Sequence, residues 1–158
     1  MLTHLDTNGN ATMVDISNKK TTTRTALASG VIHITPEILE AIKKDSIKKG
    51  NVFTVAKIAG INSAKMTEAI IPLCHQISLD FIDIDFQLDE KNLTITASAS
   101  VKTSHKTGVE MEALVAVNGS LITIYDMCKG ISKDMQITDI KLLKKTGGKS
   151  GDWDSSSK

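Results

Sequence analysis

Residues 82–102 read IDIDFQLDEKNLTITASASVK, and this stretch decides the fold. Apolar side chains alternate with polar ones from Ile82 to Leu88 and again from Leu93 to Val101, which is typical of strands with one solvated face. Turn-forming residues at 89–92 separate the two runs. We therefore predict an antiparallel hairpin whose apolar face packs on a core.

Helices and one further strand are predicted on each side of this hairpin. In chain order they are a strand over 24–34, a helix from the Thr35 cap to Gly50, a helix from the Asn51 cap to the residue before Pro72, a helix over 109–127, and a strand over 135–145 with a bulge near 138–139. With the first two helices on one crossover, this order predicts an α+β, ferredoxin-like βαββαβ fold, an antiparallel sheet covered by helices. That fold hosts unrelated functions, so the chemistry must come from particular residues.

Length and composition set the class of protein. A chain of 158 residues is expected to form a single domain over 1–158, with a mobile polar arm over 1–22 and a flexible Gly-, Ser- and Lys-rich tail over 146–158. A net charge of +1, with three Phe, one Tyr and one Trp, argues against a nucleic-acid partner. Two cysteines outside any CxxC pattern, a polar N-terminus and no long apolar run predict a cytoplasmic protein with free thiols and no membrane partner.

The long helix over 109–127 carries charges at both ends. At 100° per residue, Glu112, Asp126 and Lys129 share one stripe, but Glu112 and Asp126 lie about 21 Å apart along the axis. Because small residues surround the midpoint Gly119, we predict that the helix packs antiparallel against its own copy there, which would make a composite site from two chains. The alternative is an ordinary Asp126–Lys129 ion pair, with Gly119 tolerating a neighbouring helix.

Two further groups of charged residues have structural explanations. Thr107 and Glu110 fit a capping box at the start of the long helix, which leaves Glu112 as the carboxylate available for function. Lys49 closes a run of lysines at a predicted helix C-terminus, where cations complement the helix dipole.

Cys74 and His75 follow the second helix, at a position where ligand contacts are often built. The alternative is a structural role, in which Cys74 packs as a small apolar residue and His75 is a partly buried histidine. Zinc is not predicted, because these residues and Cys128 lack the paired short spacings of structural sites. A nucleotide-triphosphatase loop at 147–150 is rejected, because Leu143 occupies the position of its first glycine.

Seven ordered blocks of the sequence resemble the cyclic pyranopterin monophosphate synthases, the molybdenum cofactor biosynthesis protein C family. The blocks are MVDIS (13–17), KGNVF (49–53), AKIAG (56–60), IPLCH (71–75), KTGVEMEA (106–113), TIYDMCK (123–129) and GGKSGD (147–152). The resemblance covers nearly the whole chain. It departs from the family at Gln76, where many relatives have Pro, and at Met66, where many have a basic residue.

The resemblance implies a ferredoxin-like subunit of a homohexamer, a trimer of dimers with the site at a dimer interface. The implied enzyme is a phosphorus-oxygen lyase of molybdopterin synthesis that converts 3',8-cyclo-7,8-dihydroguanosine 5'-triphosphate to cyclic pyranopterin monophosphate and pyrophosphate. Carried over by motif, the catalytic residues are Asp126, Lys129 and Lys49. The implied substrate contacts are Leu73, Cys74, His75, Glu110, Met111, Glu112, Arg24 and Lys145.

These residue types suit that chemistry. Lys and Arg in a partly dry cleft can hold a triphosphate and stabilise the departing pyrophosphate, while Asp126 and His75 are reasonable acid–base groups. No metal site is predicted, although Mg²⁺ with the triphosphate fits the chemistry. The alternative function is a ferredoxin-like module that binds a small ligand or RNA without catalysis; a hairpin without aromatic residues on its polar face argues against RNA.

Overall fold

A computed structural model describes residue 5 and residues 8–149 and 151–157 of the chain. In chain order its elements are β1 (Thr22–His33), α1 (Pro36–Lys43), α2 (Val52–Lys65), α3 (Thr67–Ile70), β2 (Phe81–Asp89), β3 (Thr94–His105), α4 (Glu110–Cys128), β4 (Gln136–Thr146), β5 (Trp153–Asp154) and a 3-10 turn (Ser155–Ser157).

The strands form one antiparallel sheet in the order β2-β3-β1-β4-β5. The predicted hairpin is confirmed: β2 pairs with β3, and Ile84 lies opposite Ala99 with both side chains buried. Because β1 lies between β3 and β4, the connections are those of the predicted ferredoxin-like α+β fold.

Helices α2 and α4 cover one face of this sheet and close the core. On α4, ten of nineteen residues are buried, among them Val117 and Leu121. These two side chains lie against Gly30 of β1, where a β-carbon would be 2.8 Å from Leu121 Cδ1. The close approach of α4 to the central strand therefore requires glycine at position 30.

Small residues bring α2 and α4 together. A β-carbon at Gly60 would collide with Ser120 and Ile84, and one at Gly119 would collide with Ser63 of α2. The Ser120 hydroxyl donates a 3.1 Å hydrogen bond to the carbonyl of Ala56. The prediction that Gly119 packs on a second copy of α4 is therefore wrong, because α2 of the same chain fills that place.

Two predicted helix boundaries shift for local reasons, and one predicted irregularity is confirmed. Helix α1 ends at Lys43 and not near Gly50, because Asp45 adopts a left-handed conformation with φ of 48°. The second predicted helix divides into α2 and α3, and at the break the hydroxyl of Thr67 donates to the carbonyl of Ala64. The predicted bulge in β4 is confirmed by register shifts against β1 and by φ of 55° at Asp139.

Parts of the predicted arm and tail have a defined position. Residues 13–17 of the arm contact the site described below, and β5 of the tail pairs with Lys144 and Lys145 of β4. Residues 1–4, 6, 7, 150 and 158 of these segments lie outside the described residues. The mobility of both segments stays a prediction. Within the described chain, no helix is long and apolar enough to cross a membrane.

Candidate functional site

The C-terminal end of α4 carries an ion-pair triad. The carboxylate of Asp126 accepts from Lys49 Nζ at 2.6 Å and from Lys129 Nζ at 2.7 Å. Lys49 also donates to the Asp126 carbonyl at 3.0 Å. Each of the three side chains is about half exposed. Because α1 ends early, Lys49 lies in the turn before α2 and reaches α4, so helix-dipole compensation is the wrong explanation for it.

Ion pairing in the triad favours the charged forms of Asp126 and Lys129. Hydrogen bonds from Lys129 and Lys49 lower the pKa of Asp126 to about 2, and the hydrogen bond and charge of Asp126 raise the pKa of Lys129. At neutral pH the cluster therefore holds one carboxylate between ammonium groups. This is more than an i,i+3 pair, because Lys49 joins from 77 residues away.

The N-terminal end of α4 buries a carboxylic acid. Glu112 is 4% exposed, and burial raises its pKa to about 7, with a smaller contribution from the charge of Glu110. Glu112 lines a pocket of about 80 Å³ together with Thr67, Glu68 and His75. A carboxyl with such a pKa exchanges its proton near neutral pH.

Cys74 and His75 lie beside this carboxyl. Nε2 of His75 lies 2.7 Å from the carbonyl of Val14, which accepts only, so Nε2 carries a proton and donates it. Burial and the charge of Glu112 raise the pKa of the Cys74 thiol. The thiol is therefore neutral at pH 7, which suits a contact residue better than a nucleophile.

A separate basic pocket also lies at the α4 N-terminus. Its volume is about 220 Å³, and five cationic side chains line it: Lys19, Arg24, Lys106, Lys145 and Lys149. Lys145 binds the carboxylate of Glu110 at 3.0 Å, and Arg24 Nε donates to the carbonyl of His105. Five cations against one carboxylate favour an anionic ligand with several charges.

The predicted capping box is wrong. Helix α4 begins at Glu110 with Val109 as its cap, and no side chain makes a capping hydrogen bond. The carboxylate of Glu110 instead folds over Gly108, where a β-carbon would collide with it, and binds Lys145. Glu110 therefore belongs to the basic pocket.

Three cations of this pocket were not predicted as site residues. Lys106 and Lys149 lie in two of the sequence blocks described above, and that position is the signal that could have found them. Lys106 also donates to the carbonyl of Ser17 in the arm at 2.7 Å. Lys19 has no such signal, because only the folded path of the arm brings it to the pocket.

The predicted site residues form two separate groups within one chain. Lys49, Asp126 and Lys129 meet at one end of α4; at the other end lie Cys74, His75, Glu112 and the basic pocket. Leu73 lies in the turn after α3, and Met111 lies in the first turn of α4, half-buried. A rise of fourteen steps along α4 separates Glu112 from Asp126 by about 21 Å, so the two groups do not meet within one chain.

No metal centre is evident among the residues that the structure describes. Within residues 5, 8–149 and 151–157, no three His, Cys, Asp or Glu side chains are grouped so that they could hold a metal ion. Any Mg²⁺ carried by a triphosphate would be bound mainly by the phosphates. The expectation that no cofactor is required, with Mg²⁺ compatible with the triphosphate, stays a prediction.

The chain is similar to proteins of one family. A sequence model described as the MoaC family matches residues 13–148, a range that contains every predicted site residue. A cyclic pyranopterin monophosphate synthase of Clostridium perfringens (strain SM101 / Type A) is 50% identical over 152 residues, 96% of each chain. One of Parvibaculum lavamentivorans is 48% identical over 152 residues, 96% of this chain and 95% of its own. The molybdenum cofactor biosynthesis protein moc-5 of Caenorhabditis elegans is 52% identical over 149 residues, 94% of this chain and 25% of that protein.

Proposed function

Because the chain belongs to the MoaC family, we propose that this enzyme of molybdenum cofactor biosynthesis has the activity of a cyclic pyranopterin monophosphate synthase. Its substrate would be 3',8-cyclo-7,8-dihydroguanosine 5'-triphosphate, and its products would be cyclic pyranopterin monophosphate and pyrophosphate. The reaction is that of a phosphorus-oxygen lyase. The observation that carries the proposal is the family match over residues 13–148, which includes both groups of site residues.

The basic pocket is the proposed triphosphate site. A triphosphate brings about four negative charges, which the five cations of the pocket match once Glu110 is counted against Lys145. A cyclic monophosphate forms from a triphosphate when a substrate hydroxyl attacks the α-phosphorus and the bond to the departing pyrophosphate breaks. Lysine and arginine side chains stabilise the negative charge on that leaving group.

The triad supplies fixed charge at the other part of the site. A carboxylate with a pKa of about 2 is a weak base, so Asp126 positions the ammonium groups of Lys49 and Lys129 by hydrogen bonds. The raised pKa of Lys129 keeps it protonated, so it acts as a positive charge and a hydrogen-bond donor toward substrate oxygens.

Glu112 and His75 are the proposed proton-transfer groups. Building a pterin from a purine-derived ring needs protons to leave and arrive at ring atoms, and a carboxyl with a pKa of about 7 suits both directions. His75 holds its Nε2 proton toward Val14, which leaves Nδ1 for substrate. Cys74 and Met111 would pack against the substrate ring.

The two groups of site residues would become one site in an oligomer. A second copy that brings its Asp126 triad to the Glu112 end of the first would complete the site, and two-fold symmetry would make two such sites per pair. We propose a homohexamer built as a trimer of these dimers. We also propose a cytoplasmic location, because the free cysteines Cys74 and Cys128 suit a reducing compartment.

An activity assay with two lysine variants tests the function. The purified full chain is incubated with the cyclic dihydro-GTP precursor, and pyrophosphate release and the oxidised, fluorescent pterin are measured. We expect product from the wild type and a kcat at least about 100-fold lower in Lys129→Ala, because a charge at the reacting centre is lost.

Lys133→Ala is the matched control. Lys133 is a surface lysine four residues further along, outside the triad, and its alanine variant should stay within about twofold of wild type. Failure of the folded wild type to form the pterin would overturn the proposed reaction and favour a ligand-binding module.

A further inference from the structure

The arm before β1 runs along the candidate site and contacts it. In the described part of the arm, residues 12–16 belong to no helix or strand, and their exposure alternates: Val14 and Ile16 are half-buried, whereas Asp15 between them is exposed. Alternating burial is typical of an extended segment that lies flat on a surface. We call residues 14–17 the strap.

Two carbonyl groups of the strap bind two side chains of the site. The carbonyl of Val14 accepts from Nε2 of His75 at 2.7 Å, and the carbonyl of Ser17 accepts from Nζ of Lys106 at 2.7 Å. His75 lines the pocket of Glu112, whereas Lys106 lines the basic pocket. Because three residues span at most about 11 Å, the strap limits the distance between the proposed proton-transfer group and the pocket of cations.

Asp15 holds the strap in its shape. Its Oδ1 accepts from the backbone N–H of Ser17 at 2.8 Å and from the hydroxyl of Ser17 at 2.5 Å. These two bonds close an Asx turn between the two carbonyls that bind the site. The hydrogen bonds from Ser17 also lower the pKa of Asp15, with smaller contributions from the charges of Lys106 and His75. At neutral pH the Asp15 side chain is therefore a carboxylate that only accepts.

We propose that Asp15 is a positioning residue of the site, which acts through the carbonyl of Val14 to fix the tautomer of His75. A carbonyl only accepts, so this contact keeps the proton of a neutral His75 on Nε2 and leaves Nδ1 as the basic nitrogen. The opposite tautomer would present a donor where a base is needed. The chemical use of the tautomer rests on the proposed function, whereas the tautomer itself does not.

The charge of Asp15 is the competing explanation. Its carboxylate is near enough to Lys106 and His75 for their charges to act on its pKa, so it can also act on them directly. One variant separates the two explanations. The amide oxygen of Asn accepts the same two hydrogen bonds and carries no charge, so Asp15→Asn keeps the turn and removes the electrostatic contribution.

Nitrogen NMR of the histidine rings measures the tautomer. Long-range 15N–1H correlation spectra of the full chain at pH 8.5, where an ordinary imidazole is neutral, distinguish a protonated ring nitrogen from an unprotonated one. We expect the Nε2–H form of His75 in the wild type. In Asp15→Ala the ratio of Nε2–H to Nδ1–H should be at least about fivefold lower, which corresponds to the loss of one ordinary hydrogen bond. Asp15→Asn should keep the wild-type ratio, and the signals of His75 are those that disappear in His75→Gln.

Asp154→Ala is the matched control. Oδ1 of Asp154 accepts from the backbone N–H and the hydroxyl of Ser156 at 2.9 and 2.6 Å, which is the same turn in the tail of the chain. Its alanine variant removes an equal turn and should leave the tautomer ratio of His75 unchanged. The ring of His33 contacts Thr138 at 3.2 Å, away from the strap, and its signals report on the fold in every variant.

Activity supplies the second measurement. With the cyclic dihydro-GTP precursor, the kcat of Asp15→Ala should fall at least about tenfold, because proton transfer depends on a correctly placed base. The values for Asp15→Asn and Asp154→Ala should stay within about twofold of wild type.

An unchanged tautomer ratio in Asp15→Ala, or an Asp15→Asn protein that behaves like Asp15→Ala, would overturn the positioning role. The NMR measurement needs no substrate, so it also separates this role from the reaction. A wild type that forms no pterin, while the tautomer ratio of His75 shifts as expected, would overturn the proposed reaction and support the role of Asp15.

Discussion

The buried carboxyl of Glu112 makes the stability of the protein depend on pH, and it is also one of the groups proposed to transfer protons. Its carboxyl is buried beside His75 and Cys74, and its pKa of about 7 lies well above the ordinary 4.5. In the unfolded chain the proton leaves near pH 4.5, whereas the folded protein keeps it to about pH 7. Folding stability therefore falls as pH rises through this interval, because the folded state binds more protons.

Glu112→Gln should abolish the fall in the free energy of unfolding between pH 4.5 and pH 7, a fall of at most about 3 kcal/mol in the wild type. Urea unfolding at pH 4.5, 6 and 8 measures it. The lowered pKa of Asp126 acts below pH 4 and does not interfere.

Glu68→Gln is the matched control for this measurement. Glu68 lines the same pocket but is exposed, so the variant should keep the slope of the wild type. A Glu112→Gln protein whose stability still falls through the interval would show that another group titrates there.

The sequence indicates which residues belong to the candidate site better than it indicates which of them contact one another. The blocks around Lys49, His75 and Asp126 pointed to these residues, but the ion pair from Lys49 to Asp126 depends on where α1 ends. Helix α1 ends where it does because Asp45 adopts a left-handed conformation, which the lysine-rich sequence does not indicate. Lys19 reaches the basic pocket only through the folded path of the arm.

The pairing of α2 with α4 is the main feature at the scale of elements. Gly60 and Gly119 let the two helices approach, and Ser120 closes a hydrogen bond between them. Both halves of the candidate site depend on this contact, because α4 carries Glu112 at one end and Asp126 at the other.

We predict that Gly60→Ala destabilises the protein by about 1–3 kcal/mol, even though alanine is the better helix former. The new methyl group would meet the backbone carbonyl of Ala116 at 2.9 Å, and backbone yields less readily than a side chain. Chemical denaturation of the two proteins measures the difference.

Gly130→Ala is the control for this substitution. Gly130 follows α4, has no positive φ, and no atom lies within 4 Å of an added β-carbon. Its variant should be neutral or slightly stabilised. Equal stability of the Gly60→Ala protein and wild type would mean that the helices have room to spare.

Element types follow from sequence where periodicity is strong. The strict alternation of 82–102 predicted the hairpin, and the apolar helix and the bulged last strand also appear where expected. Gly119 was assigned to the wrong partner because a small residue indicates that another element packs closely against it but does not identify that element. In the folded chain that neighbour is Ser63 of α2.

For the whole molecule, the central feature is the separation of two charged groups along α4. One end holds the triad, the other holds the buried acid and the basic pocket, and about 21 Å lies between Glu112 and Asp126. Among the described residues of one chain, no contact joins the two groups. We therefore infer that the active unit contains two copies, each of which completes the site of the other.

Complementation between two inactive variants tests whether two chains share each site. Glu112→Gln and Asp126→Asn should each be inactive alone, and after subunit exchange half of the pairs should be mixed, each with one intact site and one doubly altered site. Activity with the cyclic dihydro-GTP precursor should return to about a quarter of wild type, from two-fold symmetry and random exchange. Activity that stays at background after exchange has been verified by mass would contradict it.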